Sequence, residues 1–168
     1  QHTGAWEQIG QTLTGAGNQN RFGYAVALNS IGDRLVVGAI NIAGLGMVEV
    51  YQLNGNIWSK MGSTLSGAES NGRFGEFVDI SSNGDRIIVG EPRYLQQDAN
   101  GTNFKAGRAV VYEWNGTEYV NIGVVVGQDQ GDSSSPFLGT TAVINDTGDK
   151  IAVGAPWGSD ARDRKSVV

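Results

Sequence analysis

The strongest constraint in this sequence is that it repeats. Arg21–Ala39 reads RFGYAVALNSIGDRLVVGA, Arg73–Glu91 reads RFGEFVDISSNGDRIIVGE, and Phe137–Ala155 reads FLGTTAVINDTGDKIAVGA. The copies align without a gap and begin 52 and then 64 residues apart. Self-similarity at this period marks an array of supersecondary units, each too small to bury its apolar face alone. The 26 glycines fall at fixed places within the copies, which points to turns and close packing rather than low complexity.

Each unit divides into apolar runs separated by turn chemistry. Run A covers Phe22–Leu28, Phe74–Ile80 and Leu138–Ile144, and run B covers Arg34–Ala39, Arg86–Glu91 and Lys150–Ala155. Run C covers Met47–Leu53 and Arg108–Trp114, and run D covers Ile57–Leu65 and Glu118–Val126. The A–B turns are Asn29–Asp33, Ser81–Asp85 and Asn145–Asp149, while Asn54-Gly55 and Asn115-Gly116 close the C–D hairpins. The runs are short, β-branched and aromatic, with no sustained helical period. Run B is almost wholly apolar, as in a strand covered on both faces.

Four short antiparallel strands per unit, stacked face to face, predict an all-β fold of β-propeller blades. Residues 22–65 and 74–126 form two full blades, and 138–168 form part of a third. Residues 6–13, a D-like run, form an outer strand of a preceding or closing blade. The end, Arg164-Lys-Ser-Val-Val168, resembles the start of run C at Gly107-Arg-Ala-Val-Val111. Because propellers use ~4–8 blades, the ring is expected to be incomplete. Small residues Gly23, Ala25, Gly75, Gly139 and Ala142 suit innermost strands crowded near an axis. Trp6, Trp58 and Tyr119 share one position in run D and are expected to fill the gap between blades at the rim.

Phe22-Gly23 followed by Val37-Gly38-Ala39, with Leu138-Gly139 and Gly154-Ala155-Pro156 in the third copy, resembles the FG-GAP repeat of integrin α-subunit propellers and many secreted repeat proteins. Gly46-x-Val48-x-Val50-Tyr51 and Gly107-x-Ala109-x-Val111-Tyr112 match the strand that follows in that family. The resemblance spans essentially the whole chain and implies a propeller more firmly than any one function. Blades of that family that bind calcium carry a D-x-D-x-D-G loop between the first two strands. Here Asp33, Asp85 and Asp149 each stand alone at the end of the turn, with too few oxygens to wrap an ion. They are expected to cap the turn instead, and no cofactor is expected.

The net charge of −5 argues against a nucleic-acid partner. No apolar run approaches the ~20 residues of a membrane helix. The lack of cysteine excludes disulfides and thiolate metal sites. No leader segment is recognisable, and a chain opening at Gln1 is compatible with processing. Sequons at Asn100, Asn115 and Asn145 are candidate glycosylation sites, and together with the resemblance they suggest an extracellular or cell-surface setting. Asn115 and Asn145 lie on the A–B and C–D side, where glycans would shield one face.

Loop lengths differ on the other face. The B–C loops are Asn41–Leu45 and Pro92–Ala106; the D–A loops are Thr14–Asn20 and Gly127–Pro136. Insertions gathered on one face mark a recognition surface on a tolerant scaffold. Arg93, Tyr94, Asp98, Phe104, Lys105, Asp129 and Asp132 are the binding candidates there. Tyr94 and Phe104 suit stacking on a sugar. Arg21 and Arg73, each before Phe-Gly, are expected to bind carbonyls or Asp side chains of a neighbouring blade, with a ligand role as the alternative. For catalysis there is little: the single histidine is His2, there is no nucleophile elbow, and nothing fixes a distance among Asp129, Asp132 and Glu69. The reading is a non-catalytic adhesion, protein-interaction or structural module, with a protein or glycan ligand or further blades of the same protein as partner. The alternatives are a carbohydrate-binding propeller and a hydrolase centred in other blades.

Overall fold

A computed structural model describes residues 4–15, 20–41, 44–128, 136–156 and 165–167, the last as backbone. Every regular element among them is a strand. The first sheet holds β1 (Phe22–Leu28), β2 (Arg34–Ala39), β3 (Met47–Asn54) and β4 (Ile57–Ser66), in that order. The second begins with β5 (Phe77–Ile80) and β6 (Arg86–Glu91). A separate hairpin follows, β7 (Leu95–Gln97) and β8 (Asn103–Lys105), before β9 (Arg108–Trp114) and β10 (Tyr119–Val126) complete the second sheet. The third holds β11 (Thr141–Ile144), β12 (Ile151–Ala155) and β13 (Lys165–Val167). All neighbours pair antiparallel.

Register repeats from sheet to sheet. Ala39 pairs with Met47, Glu91 with Arg108, and Ala155 with Lys165. The last pair sets β13 where the likeness of its sequence to the start of β9 places it. Because side chains alternate across a strand, each unit offers one face to the sheet before it and the other to the sheet after. Val36, Val48 and Val50 of the first sheet meet Val78, Ile80, Ile87, Val89 and Val110 of the second. On the second sheet's other face, Ile88, Ala109 and Val111 meet Ala142, Ile144 and Val153 of the third. β6, clad on both sides, is therefore buried from Ile87 to Glu91. The sheets approach most closely along β1, β5 and β11, and the outer strands β4 and β10 scarcely touch.

The first residues of run A form a turn, which delays the strand to Phe77 and Thr141 in the second and third copies and appears in β1 as a register shift between Phe22 and Ala25. Arg21, Arg73 and Phe137 hold φ of 44°, 59° and 51°, and the glycines two places on hold 84°, 84° and 89°. Backbone bonds from Tyr24 N to Arg21 O, Glu76 N to Arg73 O and Thr140 N to Phe137 O, at 3.0, 3.1 and 3.3 Å, close three equivalent turns. Glycine with positive φ at the third place makes them type II. The residue between drives into the core: Phe74 is fully buried and Leu138 nearly so. Burying a side chain of this size stabilises the fold by about 1.5–3 kcal/mol.

These turns dock on the preceding sheet through backbone. A Cβ at Gly38 would sit 2.2 Å from the carbonyl oxygen of Gly75, and one at Gly90 would sit 2.1 Å from that of Gly139. A Cβ at Gly46 or Gly107 would collide with the Phe74 or Leu138 carbonyl oxygen, at 1.9 and 2.2 Å. Gly23 has nothing within 4 Å, since none of the described sheets stands before it. At the opposite end of the strands, equivalent residues bond in series: Ser30 N donates to Ser82 O at 3.3 Å and Ser82 N to Asp146 O at 3.0 Å.

The terminal sheet shows what this packing covers. Tyr24, Val26 and Leu28 on β1 are 48%, 62% and 57% exposed, whereas Val78 and Ile80, the β5 equivalents of the latter two, are buried in the first core. Residues 6–13 are irregular rather than a strand, though Gln11 holds the edge of β4 by paired bonds to Trp58 N and O at 2.9 and 2.8 Å. Trp6 is 94% exposed, Trp58 half-buried and Tyr119 buried. The shared position packs well only where adjoining structure stands against it: the Tyr119 hydroxyl donates to Gly84 O at 2.7 Å.

Two contrasts test this arrangement by chemical denaturation. Gly90→Ala is expected to destabilise by about 1–3 kcal/mol or more, because the clash is with backbone. Gly123→Ala, with no atom within 4 Å of its Cβ and no positive φ, should be neutral or slightly stabilising. Ile80→Ala should cost about 2–5 kcal/mol. The equivalent Leu28→Ala should cost under about 1 kcal/mol, because more than half of Leu28 already meets solvent.

Candidate functional site

The two ends of the strands are built differently. At the A–B end the turns satisfy themselves and one another: Asp85 takes Asn83 of its own turn and, at 2.7 Å, Arg34 of the preceding unit, and Arg86 donates to Gly148 O at 3.0 Å. Asn29 Oδ1 accepts from Asp33 N and Arg34 N at 3.0 and 2.9 Å, and its amide donates to Asp33 Oδ1 at 2.7 Å. Asn145 repeats this with Lys150 N and Asp149 Oδ1 at 2.8 and 2.7 Å, and Thr147 Oγ1 also donates to that carboxylate. The Asn29 amide holds the Asp33 carboxyl below its usual range, and Thr147, Asn145 and Lys150 do the same for Asp149. These carboxylates serve the turn, as a capping role requires.

Two sequons share this end, and their side chains serve the fold. Asn115 Oδ1 accepts from Thr117 N and Glu118 N, both at 2.9 Å. The amide nitrogen of Asn145, the atom a glycan would take, is bonded to Thr147 and Asp149. A glycan on Asn145 would displace one of these two bonds, whereas the bonds to Asn115 use its oxygen and leave its amide nitrogen out of account. Asn100 is exposed on the other end, at the tip of the β7–β8 hairpin.

At that other end, the long B–C loop carries an ordered hairpin. Asp98 Oδ1 accepts from Asn100 N and Thr102 N at 2.8 and 2.7 Å, and Gly101 at φ 82° completes the turn. Asp98 thus shapes the hairpin instead of facing a ligand. Phe104 is buried, 5% exposed, and is not open to stacking. Tyr94 lies under the Arg108 guanidinium, 4.3 Å from ring centroid to carbon, so that ring face is already covered. Lys105 Nζ sits 5.8 Å from the Phe137 ring centroid. Bonds from Phe137 N to Lys105 O and Leu138 N to Ala106 O, at 3.3 and 3.1 Å, tie the insertion to the third unit. Asp129 and Asp132 lie outside the described residues.

Beneath the hairpin is a buried charge that sequence reasoning missed. Glu91 is fully buried, at the position that Ala39 and Ala155 occupy in the other copies. Its Oε2 meets Arg108 Nε at 2.6 Å. Its Oε1 accepts from Ala68 N and Glu69 N at 3.2 and 3.3 Å. One carboxylate thus clamps the β4–β5 connection, β9 and, through Arg108, Tyr94 at the hairpin's base. The available signal was the break in the Val-Gly-Ala motif: a Glu replaces Ala where an Arg stands across the strand.

Above this clamp opens a cleft of about 380 Å³ between the second and third units, lined by Arg73, Glu76, Pro92, Arg93, Phe137 and Thr140. Two successive type II turns supply four of these, and the start of the β6–β7 connection supplies Pro92 and Arg93. Arg73 reaches Glu76 in its own turn at 3.2 and 3.3 Å, rather than a neighbouring unit as expected. Thr140 Oγ1 donates to Phe137 O at 2.7 Å. Arg93 N donates to Gly72 O at 3.0 Å, and its guanidinium has no hydrogen-bond or ion-pair partner among the described residues. Of the sequence candidates, Arg93 lines the cleft and Lys105 flanks it through the Phe137 ring. Glu76, Pro92, Phe137 and Thr140 went unnoticed, since only folding brings two turns 64 residues apart together.

A scan against protein-family models finds no match for this chain.

The clamp yields a measurable asymmetry. Glu91→Ala leaves Arg108 and two backbone N–H groups without their acceptor, and should destabilise by about 3–5 kcal/mol. Adding Arg108→Met removes the stranded charge and should recover part of the loss. A double-mutant cycle in urea checks both; an additive double mutant would show that the two groups do not act as a pair.

Proposed function

We propose that the chain is a run of β-propeller blades of the FG-GAP kind, acting as a non-catalytic interaction module outside the cell or at its surface. Partner recognition uses the end of the strands that carries the β7–β8 hairpin and the cleft. Support for blades comes from the equivalent register in successive sheets and from the fan-like spread of strands, close at β1, β5 and β11 and open at β4 and β10. The carrying observation for recognition is the difference between the two ends. At one, side chains are taken up by their own turns and by the neighbouring ones; at the other, an anchored hairpin exposes Leu95, Gln96 and Gln97 beside an open cleft. Ordered insertions on a rigid scaffold are where binding sites concentrate.

The sugar-binding alternative loses Phe104, which is buried, and keeps one face of Tyr94, the other being covered by Arg108.

Arrays of extracellular proteins and of glycans, probed with the labelled chain, test the reading. Protein ligands are expected, weakened about tenfold or more by Leu95→Glu with Gln97→Glu. Asn56→Glu, in the β3–β4 turn at the other end, should leave them unchanged. Hits confined to glycans, or binding indifferent to the hairpin substitutions, would overturn it.

A further inference from the structure

We propose that the cleft between the second and third units binds a single carboxylate, presented by an Asp or Glu side chain of a partner protein. The proposal rests on the interaction reading above and names the chemistry of its contact. Arg93 brings a half-buried guanidinium with no partner of its own among the described residues. Its planar donor fork matches a carboxylate, which can accept two parallel bonds. Arg73 lines the same cleft, held to Glu76 by bonds of 3.2 and 3.3 Å, at and just beyond the long end of the usual range. The lining therefore carries one net positive charge in a chain whose net charge is −5. One excess positive charge suits a monoanion, and a phosphate or polyanion less well.

The turns themselves point the same way. Their Phe-Gly or Leu-Gly centre is held constant by docking, while the residues either side of it change. The first position is Arg21, Arg73 and Phe137; the fourth is Tyr24, Glu76 and Thr140. In the described cleft those positions of both turns form the lining. The scaffold thus keeps its geometry and varies its chemistry where two units meet. A protein carboxylate is favoured over a sugar acid because the cleft offers little free aromatic surface. Among the described residues Phe137 is the one aromatic ring of its lining, and Lys105 already sits against it. Pro92 and Phe137 instead provide an apolar wall for the methylene stem of an acidic side chain.

The test is a titration followed through the Nε–Hε signals of Arg73 and Arg93 by NMR. The probes are N-acetyl-aspartate N-methylamide, its asparagine counterpart and glucuronate. Saturable shifts are expected with the aspartate probe and none with the asparagine one. Arg93→Gln should weaken binding about tenfold or more, the scale of one lost charge-assisted hydrogen bond. Glu76→Gln should tighten it, by removing the competing anion. Amide spectra that coincide outside the cleft confirm that each variant is folded. Failure of every carboxylate to saturate would overturn the site, and glucuronate binding more tightly than the aspartate probe would overturn the protein partner. A protein ligand from the array that is lost with the hairpin substitutions but unaffected by Arg93→Gln refutes the carboxylate contact alone and leaves the interaction reading standing.

Discussion

Successive sheets are held in register by backbone meeting backbone. The carbonyl oxygen of Gly75 fills the space where a side chain at Gly38 would begin, and that of Gly139 does the same at Gly90. No other residue permits this approach, because any Cβ at Gly38 or Gly90 would stand little more than 2 Å from oxygen. The turn that makes the contact also needs glycine at its third place, to reach φ near 84–89°. Two glycines in different units thus serve one junction, one allowing the turn and one receiving it. The large residue between, Phe74 or Leu138, is driven into the core by the same turn. Spacing, rotation and core filling follow from one local motif, so a repeat of nineteen residues suffices to specify an array.

A junction of this kind is directional. The turn belongs to the later unit and the receiving glycine to the earlier one, so each unit carries half of two different contacts. This explains why the first sheet exposes Val26 and Leu28 while their equivalents are buried. It also explains why Gly23 keeps its positive φ with nothing against it: the turn is a property of the unit, and the docking a property of the pair.

Strand identity, strand order and even the place of β13 were legible in the sequence, because alternation and turn residues are local and were written three times. What was not legible came from packing between copies. Residues 6–13 share the composition of a D strand but lack the ladder that would make them one. Phe104 reads as an exposed aromatic in a polar stretch, yet the hairpin around it is ordered and buries it. Asp98 reads as a binding carboxylate, yet two backbone N–H groups claim it. Glu91 stands where the other copies have Ala, and its partners lie 17, 22 and 23 residues away.

The buried Glu91 clarifies how the variable end remains ordered. Hairpin insertions in surface connections are entropically cheap to close but have no reason to adopt one orientation. Here the carboxylate binds the β4–β5 connection and Arg108, whose guanidinium in turn covers the ring of Tyr94 at the base of the insertion. Burying the pair contributes little net stability by itself, since desolvation offsets most of the attraction. Its contribution is orientational: an arrangement that leaves the buried carboxylate unpaired is unfavourable, so the loop, β9 and Tyr94 are tied to one another. The adjoining Pro92 and Arg93 are consequently held against the two turns that form the rest of the cleft. The glycine junction fixes the distance between units, and the Glu91 clamp fixes what stands above that junction. Variation at the loop end, in loop length as in side chains, is thereby anchored to the strands beneath it.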